Sequence, residues 1–256
     1  MTRKTQEEEV KYGRLYVFPL ISKSKMRQLS TFSAKVDDMF SSEVSNQKNE
    51  LYTEAKELHP DYIEFVQGEI EELDQDFRFL NRRLIFIKAY TTFEDLLNWF
   101  CKLCVPLTKV PFENVKAERS FLSKVKWIRR FKNVLQQLRG VQSSDRGIMK
   151  ARKYIAKHLN LTDIPNAAWQ NITSYNNIVN VLKHMDGDFG DEDNKQVKKA
   201  ISYIRSHSSL CRLSKHGHEL EIEMDFIDTV LTDMNTILDY IRTEMKRRHP
   251  KCFNWE

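Results

Sequence analysis

The stretch DYIEFVQGEIEELDQDFRFLNRRLIFIKAYTTFEDLLNWFCKLC, residues 61–104, decides the fold class. In it Ile63, Val66, Ile70, Leu73, Phe77 and Leu80 alternate three and four residues apart, which lines them up in one seam along a helix. The acidic residues fall mostly off that seam. Leu84, Ile87, Phe93, Leu97 and Phe100 carry the pattern on to Val105-Pro106. One helix of about 44 residues and ~65 Å fits this run, and so do two helices broken near Asn81.

Upstream, His59-Pro60 marks a break, because the residue before a proline is pushed out of the helical region. Residues 1–60 read as a partly irregular N-terminal extension, rich in Ser, Lys and Asn in ISKSKMRQLS and SSEVSNQKNE, with STFSAKVDDMFSSEV able to form an amphipathic helix. Downstream of PLTKVPFEN, the stretch VKAERSFLSKVKWIRRFKNVLQQLRG sets Phe121, Val125, Ile128 and Val134 on one side, with Gly140 placed to cap its end. The connector GVQSSDRG leads to a helix in IMKARKYIAKHLNL. A further helix starts near Pro165 or Asn166 in TDIPNAAWQNITSYNNIVNVLKH and stops at the acidic MDGDFGDEDN. The segment HELEIEMDFIDTVLTDMNTILDYIRTEMKRR opens with a short alternating run. It continues as a helix with Ile227, Leu231, Met234, Ile237, Leu238 and Ile241 inward. Each stripe needs a partner to bury it, so the expected fold is an all-α, antiparallel helical bundle over residues 61–256.

Composition agrees and narrows the function. Only 7 Gly and 6 Pro occur in 256 residues, which argues against a loop-rich β protein, and 41% hydrophobic content suffices for a core. No apolar run approaches the roughly 20 residues that span a bilayer. The start MTRKTQEEEVKYGRL has no apolar signal core, so the expected location is the cytoplasm and no membrane is involved. Cys101 and Cys104 form a C-x-x-C without a second pair at zinc spacing; we read them as buried reduced thiols and expect no metal. MDGDFGDEDN lacks the ligand positions of an EF-hand loop, and no Gly-rich phosphate loop or nucleophile motif occurs, so no cofactor is expected. Charge is polarised: residues 35–78 carry 13 acidic and 4 basic side chains, residues 116–157 carry 13 basic and 2 acidic. Lys124, Lys126, Arg129 and Arg130, with Trp127 available to stack on a base, are the candidate RNA-binding residues.

The core stretch DFRFLNRRLIFIKAYTTFEDLLNWFCKLC resembles the central helix of the HEPN superfamily, helical proteins of bacterial toxin and phage-defence loci. The order KARKYIAKHLNL, Trp169, Ile172, Ile178, Asn180, His184 and Gly187, and the ending ELEIEMDFIDTVL, are similar to one group of these. The resemblance covers roughly residues 61–246. It implies a HEPN-type bundle with an N-terminal extension, a homodimer or hetero-complex, and a partner protein from the same locus. In active members an Arg and a His, four to six residues apart, cleave RNA without metal. The His moves a proton near neutral pH, while the Arg holds the phosphate as its charge grows.

The motif Arg-Asn-x-x-x-His falls on residues 179–184. Asn180 and His184 match, but the Arg position holds Val179, and no Arg lies four to six places before His184. Lys183 is the remaining substitute cation, without the guanidinium fork. Arg152 with His158, Arg212 with His218 and Arg242 with His249 also have the spacing, which by itself has little specificity. The leading expectation is therefore a degenerate-site module binding a protein partner or RNA. The alternatives are a metal-independent endoribonuclease using His184 and a helical scaffold without a nucleic-acid role. On this reading, residue 179 neighbours the Asn180–His184 face, and Val179→Arg is expected to regain cleavage.

Overall fold

The computed structural model describes residues 3–58, 62–112, 147–185, 187–191, 193–215 and 217–250. In chain order these form α1 (Arg3–Leu58), α2 (Tyr62–Leu103), α3 (Val105–Thr108), α4 (Ile148–His158), α5 (Asn166–His184), α6 (Lys195–Ser206), β1 (Cys211–Leu213), β2 (Leu220–Ile222) and α7 (Met224–Arg248). The protein is all-α, and its sheet among the described residues is one two-stranded hairpin. There Cys211 pairs with Ile222, Arg212 with Glu221 and Leu213 with Leu220. No helix among the described residues is long and apolar enough to cross a membrane.

Two elements differ from the sequence expectation. Residues 1–60, read as partly irregular, are helical from Arg3 to Leu58, and at 56 residues α1 is longer than the 42-residue α2. The buried positions of α1 include Leu15, Phe18, Ser22, Met26, Leu29 and Ser33, a regular three-and-four spacing hidden from a hydrophobicity reading because two of its members are serines. The second difference lies in which face of α2 is buried; the helix itself runs unbroken through Asn81, as one of the two sequence readings allowed. The apolar seam read from its sequence is only partly buried. Ile70, Phe93, Leu97 and Phe100 are covered, whereas Phe77, Leu80 and Leu84 are 52%, 46% and 57% exposed. From Arg82 onward the covered face is instead Arg82, Ile85, Phe86, Ala89, Tyr90 and Phe93.

The described chain divides into two compact units. One comprises residues 1–20, 93–164 and 241–256, the other residues 21–92 and 165–240. In the first, the Phe18 ring packs on Phe100 at 4.8 Å and on Trp99 at 5.6 Å. Tyr154 of α4 shares a 2.6 Å hydrogen bond with Thr108 and donates to the Val110 carbonyl at 3.1 Å, which ties α4 to the end of α3. Cys101 and Cys104 are buried thiols outside any disulfide, and burial pushes the Cys101 thiol far above its ordinary pKa.

In the second unit α1 and α2 run antiparallel. Asp37 meets Arg82 and, eleven residues further along α1, Lys48 meets Glu71, eleven residues earlier on α2. Arg82 is 8% exposed. Its Nε and Nη2 donate to the two carboxylate oxygens of Asp37 at 3.1 and 3.3 Å, and its Nη1 donates to the Ile222 carbonyl at 3.3 Å and to Glu223 at 3.2 Å. Beneath it Phe86 packs edge-on against Phe226 of α7 at 5.3 Å and Tyr175 of α5 at 6.0 Å. Removing one partner of a largely buried ion pair strands the other charges. Arg82→Ala is therefore expected to cost about 3 kcal/mol in chemical denaturation, with Arg82→Lys recovering less than half of it because an ammonium cannot fork onto Asp37. A loss below about 1 kcal/mol would show that this cluster does not hold the second unit together.

Candidate functional site

The motif positions lie on α5 in the second unit. This helix begins after Pro165 and ends at His184. Past its end Gly187, at φ +76°, lets the chain fold back so that the Gly187 and Met185 amides both donate to the Val181 carbonyl, at 3.3 and 3.0 Å. One face of α5 is core: Trp169, Ile172, Tyr175, Ile178, Val179 and Val181 are at most 1% exposed.

The polar residues of α5 divide into two kinds. Asn171, Asn176 and Asn177 serve the fold. Asn171 donates to Asp233 of α7 at 2.9 Å, Asn176 accepts from Tyr90 of α2 at 2.9 Å, and Asn177 donates to the Thr173 carbonyl at 3.1 Å. Asn180 is half-buried and His184 exposed, and neither side chain has a hydrogen-bond partner among the described residues. Lys183 is also exposed, with its Nζ donating to Thr91 of α2 at 2.8 Å. Asn180, Lys183 and His184 thus share the last turn and a half of α5, at an end where the helix dipole favours cationic groups.

Val179 does not join them. At 1% exposure its side chain points into the core, so the position where the resemblance calls for an arginine faces away from the Asn180–His184 surface. The expectation that Val179→Arg restores a site therefore changes sign. A guanidinium at 179 enters an apolar interior without a partner, and we expect at least about 3 kcal/mol of destabilisation, read as a fall in thermal midpoint, and no gain of RNA cleavage.

The other spaced Arg and His residues have separate engagements. Arg212 pairs with Glu221 across the hairpin at 2.6 Å, while His218 Nδ1 meets Asp188 at 2.9 Å. Together with the Phe189 amide donating to the His218 carbonyl at 3.0 Å, this ties the acidic loop after α5 to the hairpin turn. The hydrogen bond from His218, followed by that from the Gly190 amide, holds the Asp188 carboxyl below its usual range. The His158 ring lies 5.3 Å from Tyr154. Arg242 donates to the Pro19 carbonyl at 3.5 Å, and burial, then the nearby Arg248, lowers the His249 pKa. The candidate RNA-binding residues Lys124, Lys126, Trp127, Arg129 and Arg130 lie outside the described residues. Groups of three or more His, Cys, Asp or Glu side chains fit to hold a metal do not occur among the described residues.

One polar cluster escaped the sequence reading. Asp233 accepts from Tyr175 at 2.7 Å as well as from Asn171, and Tyr203 of α6 stands 3.5 Å from the Tyr175 hydroxyl with His207 stacked on its ring at 4.0 Å. Burial raises the pKa of both tyrosines, that of Tyr203 to about 12. The signal was present: Asp233 sits three residues after Val230 and four before Ile237, a carboxylate on an apolar stripe. Tyr175→Phe leaves Asp233 with one fewer donor and is expected to lower stability by about 1–2 kcal/mol, measured by denaturant titration.

No family model matches the chain, and neither a curated protein nor a solved structure matches it. The likeness to HEPN proteins rests on the residues quoted above.

Proposed function

We propose that the chain is a non-catalytic, HEPN-like module of a bacterial defence or toxin–antitoxin assembly, working in the cytoplasm by binding a partner protein. The burial of Val179 carries this reading. A degenerate surface site would keep an open slot for the missing arginine, whereas here that position belongs to the core, so Asn180 and His184 have no neighbouring motif cation to hold a phosphate. Lys183, the remaining candidate, is engaged with Thr91. The exposed large apolar side chains of α1 and α2, among them Phe32, Met39 and Leu84, favour a protein as partner.

RNA is the second reading, supported by the basic sequence of residues 116–157. In it Lys124, Lys126, Arg129 and Arg130 contact phosphate and Trp127 a base, with binding that weakens steeply as salt rises. The deciding experiment incubates the pure protein with labelled tRNA and mRNA beside a His184→Ala control. We expect no cleavage from either. Cleavage that disappears in the control would overturn the proposal in favour of a ribonuclease that recruits Lys183 or a residue of another subunit.

A further inference from the structure

In the first unit the end of α2, Phe112 and the start of α4 line a cavity of about 490 Å³, within the roughly 300–1,000 Å³ of small-molecule sites. Asp95, Asn98, Trp99 and Lys102 are spaced three, one and three residues apart, so the last two turns of α2 present all four to it from one face. Phe112 and Lys150 join them in the described lining. Asp95 and Lys102 are exposed while Phe112 is 5% exposed, so the cavity leads from solvent to a covered ring.

The side chains of this lining narrow what fits it. Trp99 is half-buried and packs on Phe18 with ring centroids 5.6 Å apart, so its indole is presented in a fixed position. The Lys150 ammonium stands 4.6 Å from the centre of the Phe112 ring. With Lys102, the described lining carries two cations against one carboxylate, Asp95, which leaves a surplus of positive charge. A wholly apolar ligand would desolvate the ammoniums without offering an acceptor, and a small inorganic anion would leave both rings uncovered. A planar ring bearing one anionic group meets both needs. Asn98 and Asp95 then supply acceptors for a donor on the ring edge.

We infer that this cavity binds an aromatic anion, a planar ring carrying one phosphate or carboxylate, with Trp99 stacking on the ring and Lys102 and Lys150 holding the charged group. A nucleoside monophosphate and an aromatic carboxylic acid share that chemistry. The cavity belongs to the first unit and Asn180 and His184 to the second, so the inference stands or falls apart from the reading of α5.

The test is isothermal titration calorimetry of the full chain with adenosine monophosphate, uridine monophosphate and hydroxybenzoate. Each is run beside its uncharged counterpart, adenosine, uridine or hydroxybenzamide, and beside inorganic phosphate. At least one of the three anions is expected to bind one to one with a dissociation constant of about 1 mM or tighter, and its uncharged counterpart and inorganic phosphate at least about tenfold more weakly. Which anion binds tells a nucleotide from an aromatic acid. Lys102→Glu, at an exposed position, should weaken binding at least about tenfold with an unchanged thermal midpoint, and Lys150→Gln should weaken it too. Lys157→Glu makes the same charge change at an exposed position two turns further along α4 and should leave binding unaltered. The inference is overturned if none of the three anions binds at millimolar concentration, if an uncharged counterpart binds as tightly as its anion, or if binding survives Lys102→Glu.

Discussion

The orientation of α2 in the second unit follows from where Arg82 is placed. A guanidinium is tolerated at 8% exposure because each donating nitrogen finds an acceptor: Asp37 on α1, the Ile222 carbonyl at the end of β2, and Glu223 just before α7. Those acceptors must converge on one point, so α1, the hairpin and the start of α7 are brought to the same stretch of α2. The same placement rotates α2. At about 100° per residue, positions 77, 80 and 84 fall nearly opposite 82, so burying the arginine turns Phe77, Leu80 and Leu84 outward. The exposed stripe is the reverse side of the buried ion pair.

This explains why the sequence seam misleads in the middle of the helix. Hydrophobic spacing alone assigns Phe77, Leu80 and Leu84 to the interior and Arg82 to solvent, and both assignments are inverted by a polar contact whose acceptors lie 45 and about 140 residues away in sequence. Ser22 and Ser33 on α1 are a second instance, since small polar side chains buried within a helix face leave no hydrophobic signal. Elsewhere the apolar periodicity was sufficient. The bounds of α5, the inward residues of α7 and the continuity of α2 as one of its two readings were all legible.

The motif on α5 was legible as sequence but not as geometry. Asn180 and His184 lie on adjacent turns of one face, as their spacing of four requires. Val179 lies about 100° from Asn180, which leaves it on the core side of a helix whose apolar face already includes Tyr175, Ile178 and Val181. The sequence contained that fact as well, because residue 179 follows Tyr175 by four and Ile172 by seven. A pattern read as a string of identities, matching or missing, hides which face each position occupies.

Burial at 179 also decides what a substitution there can do. Were position 179 solvent-facing, a long side chain placed there could reach the Asn180–His184 surface. Here the valine makes apolar contact inside the second unit, and the neighbouring polar groups Asn171, Asn176 and Asn177 are committed to α7, α2 and the helix's own backbone. The helix is thus anchored to α2 and α7 and by its apolar face, with Lys183 and His184 exposed at its end. A polar surface held in place by its scaffold in this way loses less conformational freedom on binding than a mobile one.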